Sequence, residues 1–450
     1  MQYIGIDIGT TSICGVLFNV KAGRVEQSLT RVNDTFISSR QSWEKIQDPV
    51  AIRNKALGIL KILSRKAEHL CGIGVTGQMH GIVYLDRCGE PVSPLYTWQD
   101  GRANLPYKKD LTYAGHLQQT TGRPISPGYG FATHFYNTVN KCIPAGAKKI
   151  CTIQDYIAMT LAEKKEPVTD VTDAASFGFF DVRQNRFLSD AISGCGMNTK
   201  LVPRITALDE VLGDCAGVPV FPAIGDNQAS FLGSVKNITD TLLVNVGTGA
   251  QVSCYFDRYK RVPGLELRPF PGGGVLAVGA ALCGGKAYAL LADFFRKTLR
   301  FLGQDDVDVY AAMNGIPYKR LMNESLEVSP LFLGTRINPD LRGAITQIDA
   351  NNFTPENLTA GFLKGLANEL FDFYTKIENC GKIVKHMTGS GNAIRKTPPL
   401  RYILEKRFGM KLSLPAGQEE ASIGAALLAA VGTKEFGSIR EAGQCLKYVK

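Results

Sequence analysis

One segment near the start of the chain occurs again half a chain later, and that echo limits the possible folds more than any other feature. Ile4-Gly5-Ile6-Asp7-Ile8-Gly9-Thr10-Thr11-Ser12 is matched 238 residues on by Leu242-Leu243-Val244-Asn245-Val246-Gly247-Thr248-Gly249-Ala250. Asp7 aligns with Asn245, Gly9 with Gly247 and Thr10 with Thr248. Each copy is an apolar strand, a Gly-Thr turn and a second strand pattern, over residues 13–18 and 251–255. Two such hairpins imply two copies of one domain, each offering a turn to a shared cleft. The length of 450 residues is too great for a single core and fits two large domains, divided here as 1–225 and 226–450. β-Branched runs at 72–76, 275–278 and 382–387 add strands. Residues 356–378 carry helical periodicity, with Phe362, Leu366, Leu370, Phe373 and Ile377 on one face behind a Thr354-Pro355 start. The alternation predicts an α/β protein with largely buried sheets.

Composition narrows the function classes. Hydrophobic residues make up 44% and charged residues 20%, which fits a globular protein. The net charge of +10 is spread without a basic block of five or more. Diffuse positive charge of this kind attracts small anions such as nucleotides, and we expect no nucleic-acid partner. Eleven cysteines without a CxxC pair predict reduced thiols and no zinc site. The start enters a strand at once, without a signal-peptide pattern, and the apolar run at 421–431 is too short to span a bilayer. The expectation is a cytoplasmic protein, monomer or homodimer, with no membrane partner.

Four constellations carry chemistry. In the Gly-Thr turns, backbone N–H groups form an anion-binding concavity and threonine hydroxyls add donors for phosphate oxygens. Asp7, just before the first turn, is placed to hold a hydrated Mg²⁺ beside those phosphates. An ordinary hairpin is the alternative. Gly225-Asp226-Asn227-Gln228-Ala229 falls at the junction of the halves. Phosphoryl transfer needs a group that takes the proton of an attacking hydroxyl, and Asp226 is the candidate base; a plain turn is the alternative. Gly77-Gln78-Met79-His80-Gly81 and Trp98 offer amide, imidazole and indole groups suited to a sugar. A packed histidine and a core tryptophan are the alternatives there. Thr388-Gly389-Ser390-Gly391-Asn392, read as a loop after a strand, can face a nucleotide. No Walker A sequence and no dinucleotide-binding fingerprint is present.

With these motifs the sequence resembles the FGGY carbohydrate kinases, part of the actin-like, sugar-kinase and heat-shock ATPase superfamily. The likeness rests on Asp7-Ile8-Gly9-Thr10-Thr11-Ser12, Gly77-Gln78-Met79-His80, Trp98-Gln99-Asp100-Gly101-Arg102, Gly225-Asp226-Asn227-Gln228-Ala229 and Gly247-Thr248-Gly249. Leu333-Gly334-Thr335-Arg336 with Asn338-Pro339-Asp340, Gly389-Ser390-Gly391-Asn392 and Ile423-Gly424-Ala425-Ala426 extend it over almost the whole chain. One departure is Gly334-Thr335-Arg336, where many members carry Gly-Glu-Arg. The resemblance implies two actin-like (ribonuclease H-like) domains with a cleft between them, and transfer of phosphate from ATP to a sugar with Mg²⁺. It implies phosphate contacts from Thr10 and Thr11 on one side and from Gly247, Thr248 and Gly249 on the other. Asp7 would organise the metal, and Gly389, Gly391 and Asn392 would serve the nucleotide. Gln78, Met79, His80, Trp98 and Asn227 would line the sugar pocket, with Asp226 binding the sugar and acting as base. Gly284, opening a helix pattern, would aim N–H groups at phosphate. The wording of residues 96–100, 153–156 and 173–180 is similar to the branch that phosphorylates sedoheptulose. Kinases of xylulose or another polyol, and a polymerising actin-like ATPase, are the rival readings.

Overall fold

The two echoed segments form the central hairpins of two sheets. The computed structural model of the chain describes every residue except 109, 208, 305, 323–325, 336, 337, 339 and 450. In the first sheet β1 (Gln2–Ile8) pairs antiparallel with β2 (Ser12–Asn19), and β3 (Arg24–Val32) pairs antiparallel with the far side of β2. On its other side β1 lies parallel to β4 (Leu70–Gly77). Short strands β5 (Gly213–Cys215) and β6 (Val218–Val220) continue the sheet past β4, and β7 (Ile224–Gly225) runs parallel to the end of β4. Among the described helices, α1 (Val171–Ser176) and α2 (Asp226–Ser234) bear on the site.

The second sheet repeats the plan. β8 (Thr241–Val246) pairs antiparallel with β9 (Ala250–Phe256). β10 (Glu266–Pro269) and β11 (Val275–Ala281) extend that side, giving the order β10-β11-β9-β8. After α3 (Gly285–Phe301) and α4 (Pro355–Asn379), β12 (His386–Ser390) lies parallel to β8, just as β4 lies beside β1. The short helix α5 (Asn392–Lys396), β13 (Leu412–Ser413) and helix α6 (Glu420–Gly432) complete this half. The expected helix at 356–378 forms with Thr354 as its cap, the threonine hydroxyl accepting from the Asn357 N–H at 3.2 Å.

One strand differs from expectation. Residues 382–385 are not in a strand, and β12 begins at His386 and runs through Gly389 and Ser390. Its start is set by its neighbour, because pairing with β8 begins at Thr241↔His386, and the Lys385 and His386 N–H groups both turn to the Asp240 carbonyl. Gly389, read as a loop residue, therefore sits in a buried strand opposite Val244.

A core of both halves lies between the two sheets. Phe18 from the first sheet, Leu243 and Val278 from the second, Leu232 of α2 and Ile423 and Leu427 of α6 pack in one buried cluster. The approach is close enough to require small residues: a Cβ on Gly5 would lie 1.8 Å from the Ser422 carbonyl oxygen. Helix α6, buried along residues 422–432, thus rests on the first sheet although it closes the sequence of the second half. Among the described residues no helix is long and apolar enough to cross a membrane.

Candidate active site

Topology brings the first two acids together. Asp7 is the penultimate residue of β1, and Asp226 follows β7, at the first position of α2. Both strands flank the end of β4, with Asp7↔Thr76, Ile224↔Thr76 and Gly225↔Gly77 in register. The Asp7 Oδ1 is buried without a hydrogen-bond partner. Burial, then the negative charges of Asp226 and Glu419, push its pKa up to about 7. Burial raises Asp226 to about 6, against the pull of the Arg268 guanidinium and of the first N–H groups of α2. Asn227, buried beside it, has neither amide nitrogen nor oxygen bonded.

A ring of side chains fixes the first turn. The Trp98 Nε1–H donates to Thr10 Oγ1 at 2.9 Å, and Thr10 Oγ1 donates to Gln78 Oε1 at 3.2 Å. Gln78 Nε2 donates to Gln47 Oε1 at 2.9 Å, and Gln47 Nε2 returns to the Thr10 carbonyl at 2.9 Å. Trp98 is 47% exposed, which removes the core-tryptophan alternative. Thr10, expected on the phosphate side, is tied through its hydroxyl to two residues expected to hold sugar. Thr11 is exposed, its carbonyl accepting from the Asn33 N–H.

A cavity of about 620 Å³ opens between the halves. Its walls include Met79, His80, Tyr129 and Ser176 from the first half and Glu266 and Arg268 from the second; Gln78, Trp98, Asp226 and Asn227 stand outside this lining. His80 is held with φ 77°, a left-handed conformation that a non-glycine residue adopts at some cost. Its backbone N–H donates to Ser176 Oγ at 3.1 Å, its Nδ1 lies 2.8 Å from the Ser176 carbonyl, and its ring stacks on Tyr129 at 4.6 Å. Tyr129 donates to Glu266 Oε1 at 3.4 Å across the cleft, and Arg268 donates to Glu266 Oε2 at 2.8 Å.

The second turn is fastened by backbone. Gly284 N and Lys286 N donate to the Thr248 carbonyl at 3.0 and 3.1 Å, and Gly285 N donates to the Gly247 carbonyl at 2.9 Å. The Gly284 N–H, expected to face phosphate, is therefore spent on the turn. A Cβ on Gly284 would lie 2.2 Å from the Gly249 oxygen, so glycine here permits the close approach. Gly391, with φ 87°, turns β12 into α5 against the Val246 backbone and brings Asn392 to the same strand end. Arg336 and Pro339 of the Leu333–Asp340 motif lie outside the described residues.

Sequence reasoning missed Gln47, Tyr129, Glu266 and Arg268. Glu266 and Arg268 alternate on a short strand, a pattern common on any half-exposed sheet, and only the cleft gives it meaning. Asp155 and Asp173, to which the sequence assigns no role, are both buried, and burial pushes Asp155 up to about 7 and Asp173 well above the usual carboxylate range.

Comparison with known proteins now settles the family. The profile of the FGGY family of carbohydrate kinases matches twice, the N-terminal domain over residues 2–233 and the C-terminal domain over residues 266–433. The Sedoheptulokinase of Homo sapiens is 26% identical over 94% of this chain and 96% of its own length. A Xylulose kinase of Lactococcus lactis is 22% identical over 100% of this chain and 92% of its own. The solved structure of xylulose kinase from Rhodospirillum rubrum superposes with a TM-score of 0.84, at 22% identity, covering 100% of this chain and 93% of that one. The fold is thus the two-domain, actin-like fold expected, and the chain belongs to the FGGY family of carbohydrate kinases.

Proposed function

We propose that this kinase phosphorylates a ketose, with sedoheptulose as the substrate and sedoheptulose 7-phosphate as the product, and that Asp226 is its general base. The observation that carries the proposal is the pairing of Asp226, raised to about 6, with Asp7 at the ends of the two strands that flank the end of β4. A base is most effective when its pKa lies near the working pH, and burial brings Asp226 there. Its carboxylate accepts the proton of the sugar hydroxyl as the oxygen attacks the γ-phosphorus and ADP departs. Gly247, Thr248, Gly249 and Gly391 with Asn392 would receive ATP from the second half, and Thr10 and Thr11 from the first. Dividing the chain into residues 1–225 and 226–450 sets Asp226 on the floor between them.

Asp7 fits a hydrated Mg²⁺, because its buried Oδ1 lacks a partner and two further carboxylates already press on it. Among the described residues no group of three or more His, Cys, Asp or Glu side chains is placed to hold a metal ion by itself, so water and phosphate oxygens would complete the shell. The ion would supply neutralisation of phosphate charge.

Sedoheptulose is favoured over xylulose by the wording of residues 96–100 and 173–180 and by the Sedoheptulokinase similarity. Release of ADP, measured with ATP and Mg²⁺ on sedoheptulose, D-xylulose, D-ribulose and glycerol, tests both levels. The highest kcat/KM belongs to sedoheptulose. Equal or better turnover of xylulose would overturn the sugar assignment, and no ADP release with any of them would overturn the ketose reading.

A further inference from the structure

We propose that Arg268 is a sugar-binding residue, the hydrogen-bond donor that the second half presents to the sugar opposite His80. The inference rests on reading the cleft as a sugar site. Arg268 sits on β10 at the edge of the second sheet and is only 8% exposed. A guanidinium has five N–H donors in a fixed fork, and a buried one left unbonded is costly. One arm of the fork is accounted for by Glu266 at 2.8 Å, but the buried Nε has no partner. Arg268 as a residue lines the cleft cavity, so the remaining N–H groups of its fork are the ones a ligand there can meet. The cavity it lines is the one lined by Met79 and His80.

The chemistry around it suits a neutral polyol. Glu266 and, at longer range, Asp226 already offset the Arg268 charge, so a donor from its fork calls for a hydroxyl oxygen more than for a carboxylate. Exposed Arg123, Arg183 and Arg261 reach the same cavity with their charges in solvent, so an anionic ligand is the competing class. The route from His80 to Arg268 also crosses the cleft. His80 stacks on Tyr129, Tyr129 donates to Glu266, and Glu266 holds Arg268. A sugar gripped by His80 and Arg268 together would tie the halves to each other, so that its binding favours the arrangement in which Asp226 and the phosphate turns meet.

The test compares wild type with Arg268→Met and with the double variant Glu266→Gln/Arg268→Gln, which removes both charges of the pair so that Glu266 is not stranded, while Asp226 loses the pull of Arg268 equally in both variants. Sugar Kd is measured by calorimetry with sedoheptulose, D-xylulose and D-gluconate, and KM for sugar and for ATP from ADP release. Losing a charged donor to a hydroxyl should weaken sedoheptulose about 10- to 100-fold in both variants, with KM for ATP within about twofold. Unchanged sedoheptulose affinity in the double variant overturns the proposal, as does an equal rise in both KM values. Loss of gluconate binding with sedoheptulose binding intact would assign Arg268 to anions and also overturn it. If Arg268→Met fails to fold, the double variant decides. A wild type that binds sedoheptulose yet releases no ADP would sink the ketose-kinase reading alone, because the calorimetric comparison still reads Arg268. A wild type that binds none of the three sugars removes both.

Discussion

Asp7 and Asn245 occupy the same place in two copies of one hairpin, and the polar contacts around them differ. Asp7 is an acid with an orphaned oxygen, lifted to about 7 by burial and by neighbouring negative charge. Asn245 is a neutral amide whose Nδ2 donates to Ser390 Oγ at 2.7 Å. The turns differ as well. Ile8 pairs with Ile13 and leaves residues 9–12 in the first turn, whereas Val246 pairs with Ala250 and leaves only 247–249 in the second. The first turn is held by side chains, with Asn33 Nδ2 on the Gly9 carbonyl and Gln47 Nε2 on that of Thr10. The second is held by backbone N–H groups at the start of α3. The hairpin scaffold occurs twice, and the unsatisfied carboxyl stands at one end only. A destabilised carboxyl at one strand end, where the equivalent position of the other copy is satisfied, is the pattern expected of a functional end.

If that contrast is right, the largest losses come from acids at the first strand end. Asp226→Asn should lower kcat about 10²- to 10⁴-fold, since it removes a general base and leaves both turns in place. Initial rates at saturating ATP and sugar check this, and retention of more than about a tenth of kcat would move the base to another residue.

Asp7→Asn makes the first strand end chemically like the second. Activity should fall about 10- to 100-fold, the usual effect of losing a group that orients a metal's shell. The Mg²⁺ requirement should rise with it. Stability should move the other way. The folded carboxyl holds its proton up to about pH 7 while the unfolded one loses it near 3.8, so the folded state binds more protons in between. Stability from this group is therefore lost as pH rises from about 4 through 7, and the amide escapes that loss. Asp7→Asn should melt higher than wild type at pH 8 and no higher at pH 4. An identical Mg²⁺ titration, or a lower Tm at pH 8, would make Asp7 an ordinary turn residue.

The scaffold was legible because it repeats: Gly-Thr turns behind β-branched runs fix two hairpins by local pattern. A lone Asp next to Gly is usually just a turn, so Asp7 and Asp226 stand out in the sequence only by context, beside the repeated turn and at the junction of the halves. Gly389 was misread since a glycine-rich run looks like a loop, while pairing with β8 holds it in a strand. Gln47, Tyr129, Glu266 and Arg268 left no signal. Their meaning comes from a ring of bonds and a cleft assembled from distant segments, which no local spacing encodes.

A smaller effect separates the turns by how they are fastened. Gly284→Ala places a Cβ about 2.2 Å from the Gly249 oxygen, so the second turn must shift. KM for ATP should rise several-fold, on the order of 1 kcal/mol, while sugar Kd stays unchanged. Gln47→Ala, which loosens the first turn and releases Gln78, should do the reverse and weaken sugar more than ATP. Parallel changes in both variants would mean that the two turns act as one unit.

The smallest effect should come from Asn245 itself, and it is the sharpest check on the comparison. Asn245→Ala deletes the amide and leaves the Ser390 hydroxyl, which is fully buried, without its donor. An unmet buried hydroxyl costs about 1 kcal/mol or a little more. Denaturant unfolding should show that loss, with kcat within about twofold of wild type because no charge at the reacting end has changed. Asn245→Ala/Ser390→Ala removes both partners, so no polar group is stranded, and part of the lost stability should return. Full additivity of the two single losses would mean that the bond contributes nothing as a pair. A fall in kcat comparable to that of Asp7→Asn would do more damage: it would place chemistry at both strand ends and erase the asymmetry from which Asp7 takes its role.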